Sequence, residues 1–127
     1  MRWIGIVSCL LLLGVSCTKD NGELNEYVLK NVCSFTIDVF SSAMVQYPDG
    51  SKVETIHDQL AAGQSVSLRI VPTYDGMQVA DVFTNIEVYK DESMIQMDLL
   101  QEQLWDLNTS DNKTQYTLTI IPSFFNN

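Results

Sequence analysis

The sequence predicts an all-β domain: an antiparallel β-sandwich of immunoglobulin-like type, with about seven strands and at most one short helix. Three observations support this prediction. Alternation of apolar and polar residues with a period of two recurs along the 127-residue chain, and a helical period does not dominate. Short apolar segments recur about every 8–12 residues. Turn-forming residues, such as Pro48, Asp49 and Gly50, separate these segments.

The expected strands begin after a polar segment near the amino terminus and continue to the end of the chain. They are predicted at residues 27–30, 34–45, 52–57, 65–71, 79–83, 86–90, 94–97 and 115–122. The strand at 65–71 shows the pattern most clearly, because Val66, Leu68 and Ile70 share one face while polar residues occupy the other.

Two further segments depart from the period of two. Residues Asp98–Trp105 form the only candidate for a helix in the predicted domain, because Leu100 and Leu104 are four residues apart and Asp98 is a suitable N-cap. Residues Asn108–Lys113 are polar and rich in turn-forming types, so they are predicted to form a loop.

The first residues of the chain have the layout of a bacterial secretory signal that ends at a lipid-accepting cysteine. Arg2 precedes the apolar segment Trp3–Val15, and the small residue Ser16 comes directly before Cys17. The apolar segment is shorter than the roughly 20 residues of a membrane-spanning helix. We therefore expect a signal helix at residues 1–16, lipidation of Cys17, a polar tether at 17–26 and a β-sandwich at 27–127. An ordinary cleaved signal, with Cys17 incidental, is the alternative.

These features together resemble the small β-sandwich lipoproteins of unknown function from Bacteroidota. The resemblance rests on the lipid-signal start, Pro48-Asp49-Gly50, Ala62-Gly63-Gln64, Trp105 and the ending Tyr116-Thr117-Leu118-Thr119-Ile120. It implies a lipid-anchored sandwich on the outer membrane and carries over no catalytic residues. The pair Lys19-Asp20 also partly resembles the signals that direct such lipoproteins to the cell surface.

Charge and residue types narrow the range of functions. The formal net charge of −9 at pH 7 argues against nucleic acid as a partner, because nucleic acids favour basic surfaces. The chain has one histidine, His57, and no Gly-x-Ser-x-Gly motif, so we expect it not to be an enzyme. A small envelope hydrolase that uses His57 is the less favoured alternative.

Metal and cofactor sites are not expected. Asp106, Asn108 and Ser110 have the first spacings of a calcium-binding loop, but Asp111 and Thr117 stand where the glycine and the bidentate glutamate are needed. Cys33 alternates in phase with apolar residues, which predicts a buried and unreactive thiol.

Exposed aromatic residues are the candidate ligand contacts. Tyr47 and Tyr74 each lie beside a predicted turn, and Trp105 either contacts a ligand or packs in the core. The sequence therefore predicts a lipid-anchored, non-enzymatic module of the cell envelope that binds a protein or a glycan. The alternative is a structural or assembly subunit that pairs with another chain through an edge strand.

Overall fold

The computed structural model describes residues 23–125, and within this range the chain forms two four-stranded β-sheets, which confirms the all-β sandwich. The strands are β1 (Leu24–Asn31), β2 (Ile37–Tyr47), β3 (Gly50–Leu60), β4 (Ser65–Pro72), β5 (Asn85–Lys90), β6 (Ser93–Met94), β7 (Trp105–Ser110) and β8 (Lys113–Ile120). A one-turn helix, α1 (Val79–Val82), and two 3-10 turns, Glu102–Leu104 and Pro122–Phe125, complete the described elements.

Sheet A has the strand order β4-β1-β8-β7. Its central pair, β1 with β8, is parallel, with Leu24 opposite Lys113 and Asn31 opposite Ile120. The other pairs in this sheet are antiparallel. The predicted antiparallel sandwich therefore contains one parallel strand pair. Parallel strands need a long connection, and here nearly the whole domain separates β1 from β8.

Sheet B has the strand order β3-β2-β5-β6, and all its pairs are antiparallel. Its largest element is the hairpin of β2 and β3, whose strands each have 11 residues. Pro48 and Asp49 form the two-residue turn, and Gly50 follows with a φ of 132°, which glycine adopts without the steric penalty of a Cβ atom. The predicted turn is thus confirmed, while both strands are longer than predicted at this end.

The core lies between the two sheets and combines inward-facing strand residues with buried residues of the connections, such as Val79, Phe83 and Leu99. Its most buried members include Tyr27, Leu29, Ile37, Val39, Val88, Leu118 and Ile120. Tyr27 occupies the centre, where its ring contacts Phe83 and Trp105 edge-on at centroid distances of 5.7 and 5.9 Å. Such edge-to-face contacts add to the stabilisation that area burial provides.

One buried amide joins the two sheets at the start of the hairpin. The Asn31 side chain is fully buried and donates to the carbonyl oxygens of Phe35, Leu60 and Ala61, at 2.9, 3.2 and 3.1 Å. Its Oδ1 accepts a 2.9 Å hydrogen bond from the backbone N–H of Cys33. Because buried polar groups cost free energy when they lack partners, this amide satisfies several backbone groups of two loops at once.

The predicted buried thiol is confirmed. Cys33 is almost inaccessible, its Sγ lies 3.6 Å from the carbonyl oxygen of Ile120, and burial raises the pKa of the thiol. The raised pKa disfavours the reactive thiolate form.

The carboxy-terminal aromatic residues pack back onto the domain, since the Phe125 ring lies 5.6 Å from that of Phe35.

Two predictions of local structure near α1 and β7 are wrong. Residues 79–83 form a helical turn rather than a strand, because Asp81 accepts a hydrogen bond from the backbone N–H of Gln78 and Glu102 accepts one from Val79. Residues 98–105 do not form an α-helix; only the short turn Glu102–Leu104 is helical, and Trp105 begins β7.

The predicted loop at Asn108–Lys113 is also wrong. Strand β7 continues to Ser110 and β8 begins at Lys113, so the turn contains only Asp111 and Asn112. Strand β1 begins at Leu24, three residues before the predicted start of the sandwich at Tyr27. The predicted signal at 1–16, Cys17 and the tether up to residue 22 lie outside the described residues.

Candidate ligand-binding groove

The outer face of sheet B carries a groove with a volume of about 630 Å³. We call this the outer groove. Its lining comes from three strands and from the turn between β5 and β6, and consists of Asp38, Phe40, His57, Glu87, Tyr89, Asp91 and Glu92.

Strand alternation places these side chains on the outside of the sandwich. On β2, Ile37 and Val39 are buried in the core, so Asp38 and Phe40 point to the opposite face. On β5, the buried Val88 separates Glu87 from Tyr89 in the same way. Burial of the core residues therefore fixes the direction in which the groove residues point.

Aromatic rings form the floor of the outer groove. Phe40 and His57 are cross-strand neighbours, and their rings stack with a centroid distance of 4.3 Å and an interplanar angle of 7°. Tyr89 meets Phe40 edge-on, at 5.7 Å and 88°. Cross-strand aromatic pairs stabilise a sheet modestly, and here they also hold three ring systems in fixed positions on an outer surface.

Hydrogen bonds orient the two polar rings. His57 Nε2 lies 2.9 Å from Asp38 Oδ1. The Tyr89 hydroxyl donates to Glu87 Oε1 at 3.2 Å. Partial burial, and then the hydrogen bond to Glu87, raise the pKa of the Tyr89 phenol, which keeps it in its neutral form. The groove thus presents oriented rings and carboxylates.

The charged side chains that line the outer groove are mainly acidic. Its lining includes four carboxylates, and no lysine or arginine is among the described residues that form it. The outer face of sheet A differs, because Glu26 there pairs with Lys113 at 3.0 Å. Hydrogen bonds from Lys113, Ser67 and Gln115 lower the pKa of the Glu26 carboxyl.

This arrangement suits a ligand with a positive charge and an apolar stem. A cation is attracted to the face of an aromatic ring by the quadrupole of the ring, and carboxylates strengthen that attraction. The described lining contains no serine, threonine or cysteine that could act as a nucleophile beside His57. Residues 23–125 also contain no group of three or more His, Cys, Asp or Glu side chains placed to hold a metal ion.

The predicted contact residues lie elsewhere. Tyr47 is 37% exposed at the end of β2, where Lys52 Nζ lies 5.5 Å from the centre of its ring. Tyr74 is 56% exposed in the connection after β4. Neither tyrosine lines the outer groove. Both remain accessible surface residues, and the structure does not bring them together with the groove.

Trp105 offers no surface to a ligand. Its side chain is in the core, with only 6% of the residue exposed, and its Nε1–H donates to the carbonyl oxygen of Leu99 at 2.9 Å. Of the two predicted roles of Trp105, this burial supports packing in the core and not contact with a ligand. Asp106, Asn108 and Ser110 lie along the extended strand β7 and do not form a calcium-binding loop.

The sequence does contain a signal for the groove residues, but the prediction of contact residues from their position beside turns does not use it. Asp38 and Phe40 alternate with the apolar residues of β2, and Tyr89 occupies the same kind of position on β5. An aromatic residue on the polar face of a strand is a candidate for binding. Phe40 and Tyr89 are two such residues on separate strands, and only the strand pairing brings them together.

Comparison with protein-family models, with curated proteins and with solved structures found no match for this chain. Within residues 23–125, no helix has the length and apolar character needed to cross a membrane.

Proposed function

We propose that this protein is a lipid-anchored, non-enzymatic binding module of the cell envelope, and that its outer groove binds a basic side chain of a partner protein. One observation carries the proposal: the stacked rings of Phe40 and His57, with Tyr89 against them, lie among four carboxylates and no lysine or arginine. A lysine or arginine side chain matches this surface in both charge and shape.

The recognition would combine two weak contacts. A cation over an exposed aromatic ring contributes about 0.5–1 kcal/mol. Hydrogen bonds from a charged donor to a carboxylate are stronger than neutral ones. The Tyr89–Glu87 pair supplies both a ring and an adjacent carboxylate, so we assign it the central role in binding.

A protein ligand is preferred over a glycan because of how the rings are arranged. Sugars stack on an open aromatic face, but His57 covers one face of Phe40 and Tyr89 contacts Phe40 edge-on. A narrow cationic side chain needs less open ring surface than a sugar does. A glycan that stacks on the exposed side of His57 is the alternative outcome of the experiment below.

The anchor is supported by the sequence from Arg2 to Cys17 and by the resemblance to small Bacteroidota lipoproteins. Acyl chains on Cys17 would hold the domain at the membrane through the burial of methylene groups. We propose the outer membrane as its location, with display at the cell surface. Intact-mass measurement of the protein from a bacterial host tests this. We expect an acyl mass increment that Cys17→Ala removes; an unmodified chain would reject the anchor.

Binding is tested by probing the full chain with an array of lysine- and arginine-containing peptides beside a glycan array. The informative pair of variants is Tyr89→Ala, inside the groove, and Tyr74→Ala, an exposed tyrosine outside it. We expect Tyr89→Ala to weaken peptide binding by about tenfold, as loss of a ring and of its carboxylate alignment implies, and Tyr74→Ala to leave it unchanged.

A second variant tests the contribution of a carboxylate charge to binding without changing the shape of the side chain. Glu87→Gln keeps the size of the side chain and removes one carboxylate beside Tyr89. It should weaken binding and reduce its dependence on salt concentration. Equal binding of acidic and basic peptides, or an equal loss in Tyr74→Ala, would reject the basic side chain as the ligand, and binding of glycans alone would replace it with the glycan alternative.

A further inference from the structure

Strand β3 is a long edge strand that pairs on only one side in the described structure. It has 11 residues and hydrogen-bonds to β2. The other edge strands are shorter: β4 has eight residues and ends at Pro72, β7 has six and β6 has two. Ile56 and Val53 of β3 are 55% and 54% exposed. A long exposed edge of this kind is able to pair with another strand.

The pairing within the hairpin determines which backbone groups are free. Tyr47 and Gly50 close the two-residue turn, so they form a hydrogen-bonded pair, and such pairs alternate along an antiparallel ladder. The even-numbered residues of β3 therefore bond to β2. The N–H and C=O groups of Ser51, Val53, Thr55, His57 and Gln59 point to the free edge.

We propose that β3 pairs antiparallel with β3 of a second copy of this chain, with the two-fold axis at Thr55. In this register the free backbone groups face one another, and Val53 lies opposite the partner's His57. On the opposite face of the strand, Lys52 lies opposite the partner's Asp58. Because the interface is symmetric, it contains two such lysine–aspartate pairs.

Charge complementarity favours this register over its neighbours. An axis at Glu54 would place the two Glu54 side chains directly opposite each other. An axis at Ile56 would place Glu54 opposite the partner's Asp58. Like charges directly opposite each other destabilise a strand pair, and opposite charges stabilise it. The axis at Thr55 avoids both repulsive pairs and uses nearly the whole length of β3.

The charges of Lys52 and Asp58 also make β3 selective for its partner strand. Charged residues on an edge strand normally prevent indiscriminate pairing. On β3, Lys52 and Asp58 are equally distant from Thr55, so they are complementary only to a strand with the same pattern in the opposite direction. The interaction extends sheet B into a continuous eight-stranded sheet across two copies, and it covers apolar side chains that are exposed in one copy.

A charge-swap experiment tests the proposal on the full chain by sedimentation in density-matched detergent over a concentration series. We expect the natural sequence to form a dimer. Lys52→Glu and Asp58→Lys should each weaken the dimer by about tenfold or more, because each variant creates two repulsive pairs. An equimolar mixture of the two variants should form a heterodimer, since the introduced glutamate then faces the introduced lysine, and the natural Asp58 of one copy faces the natural Lys52 of the other.

The matched control is Lys30→Glu, which makes the same charge change at an exposed residue of β1 and should leave dimerisation unchanged. A protein that stays monomeric at every concentration would overturn the proposal. So would a dimer that neither single variant weakens, or a mixture that does not re-associate. The pairing of β3 with a second copy does not depend on the proposed function. Peptide binding to the outer groove is measured in a separate experiment, so either proposal can fail without the other.

Discussion

The two ends of the hairpin of β2 and β3 differ in what supports them. At its base, Ile37, Val39 and Leu60 are buried between the sheets, and Asn31 bonds to the carbonyl oxygen of Leu60. Towards its tip, Met44, Val53 and Ile56 are exposed. The base is therefore held by core packing and buried hydrogen bonds, whereas the tip is held mainly by the ladder between its own two strands.

Within this one hairpin, the residues that stabilise the fold are therefore different from the residues that are available for interaction. The base contributes to folding, and its side chains have little freedom to change. The outer groove begins beside the base at Asp38 and Phe40, and the free edge of β3 extends from there to the tip. A rigid base that positions exposed side chains is the usual arrangement of a binding surface.

The largest expected effect is at the base. Ile37→Ala removes a fully buried side chain and should lower the free energy of unfolding by about 3 kcal/mol, within the usual range for such cavities. Ile56→Ala makes the same change on the exposed part of β3 and should cost less than about 0.5 kcal/mol. Urea denaturation at low protein concentration measures both. Equal losses would show that the two ends are supported alike.

The next effect concerns the buried amide. Asn31→Leu keeps a similar volume but removes the donor to three carbonyl oxygens and the acceptor for the Cys33 N–H. Unsatisfied buried groups imply a loss of about 2 kcal/mol in the free energy of unfolding. Thermal unfolding followed by circular dichroism provides the measurement, with Asn108→Leu on the exposed strand β7 as the control. No difference between these two variants would contradict the bridging role of Asn31.

The smallest effect is at the tip. Gly50 has a φ of 132°, and a Cβ atom placed there would meet no other atom within 4 Å. Gly50→Ala should therefore cost only backbone strain, about 1 kcal/mol in the free energy of unfolding. Ser51→Ala, at the next residue, should cost almost nothing. A loss in Gly50→Ala as large as that in Ile37→Ala would mean that the tip contributes to the core.

The fold class was predictable because alternation reports which face of a strand is buried. Alternation located the strand at Ser65. It placed Ile70 wrongly on the inner face with Val66 and Leu68, because the register with β1 shifts beside Tyr27 and leaves Ile70 53% exposed. Turn-forming residues located the hairpin turn at Pro48 and Asp49. Alternation failed for residues 79–83, where valines suggest a strand but hydrogen bonds to Asp81 and Glu102 close a helical turn. It failed again at Asn108–Ser110, because pairing with β8 holds polar residues in a strand against their turn preference.

The candidate site was less predictable because it depends on strand order and register. Phe40 and His57 are 17 positions apart in the sequence, and they stack only because the hairpin places them directly opposite each other. Tyr89 joins them because β5, rather than β1, is the second neighbour of β2. Tyr47 and Tyr74 lie beside predicted turns, but the sequence alone does not show that they lie outside the groove.

The parallel pairing of β1 with β8 has a mechanical consequence. Leu24, at the entry to β1, and Ile120, at the exit of β8, lie at opposite ends of a ladder of eight residue pairs. A pull applied to these two ends loads the ladder in shear, so its hydrogen bonds resist together instead of opening one at a time. A domain held at its amino-terminal side and pulled from its carboxy-terminal side would therefore bear the tension along its strongest direction.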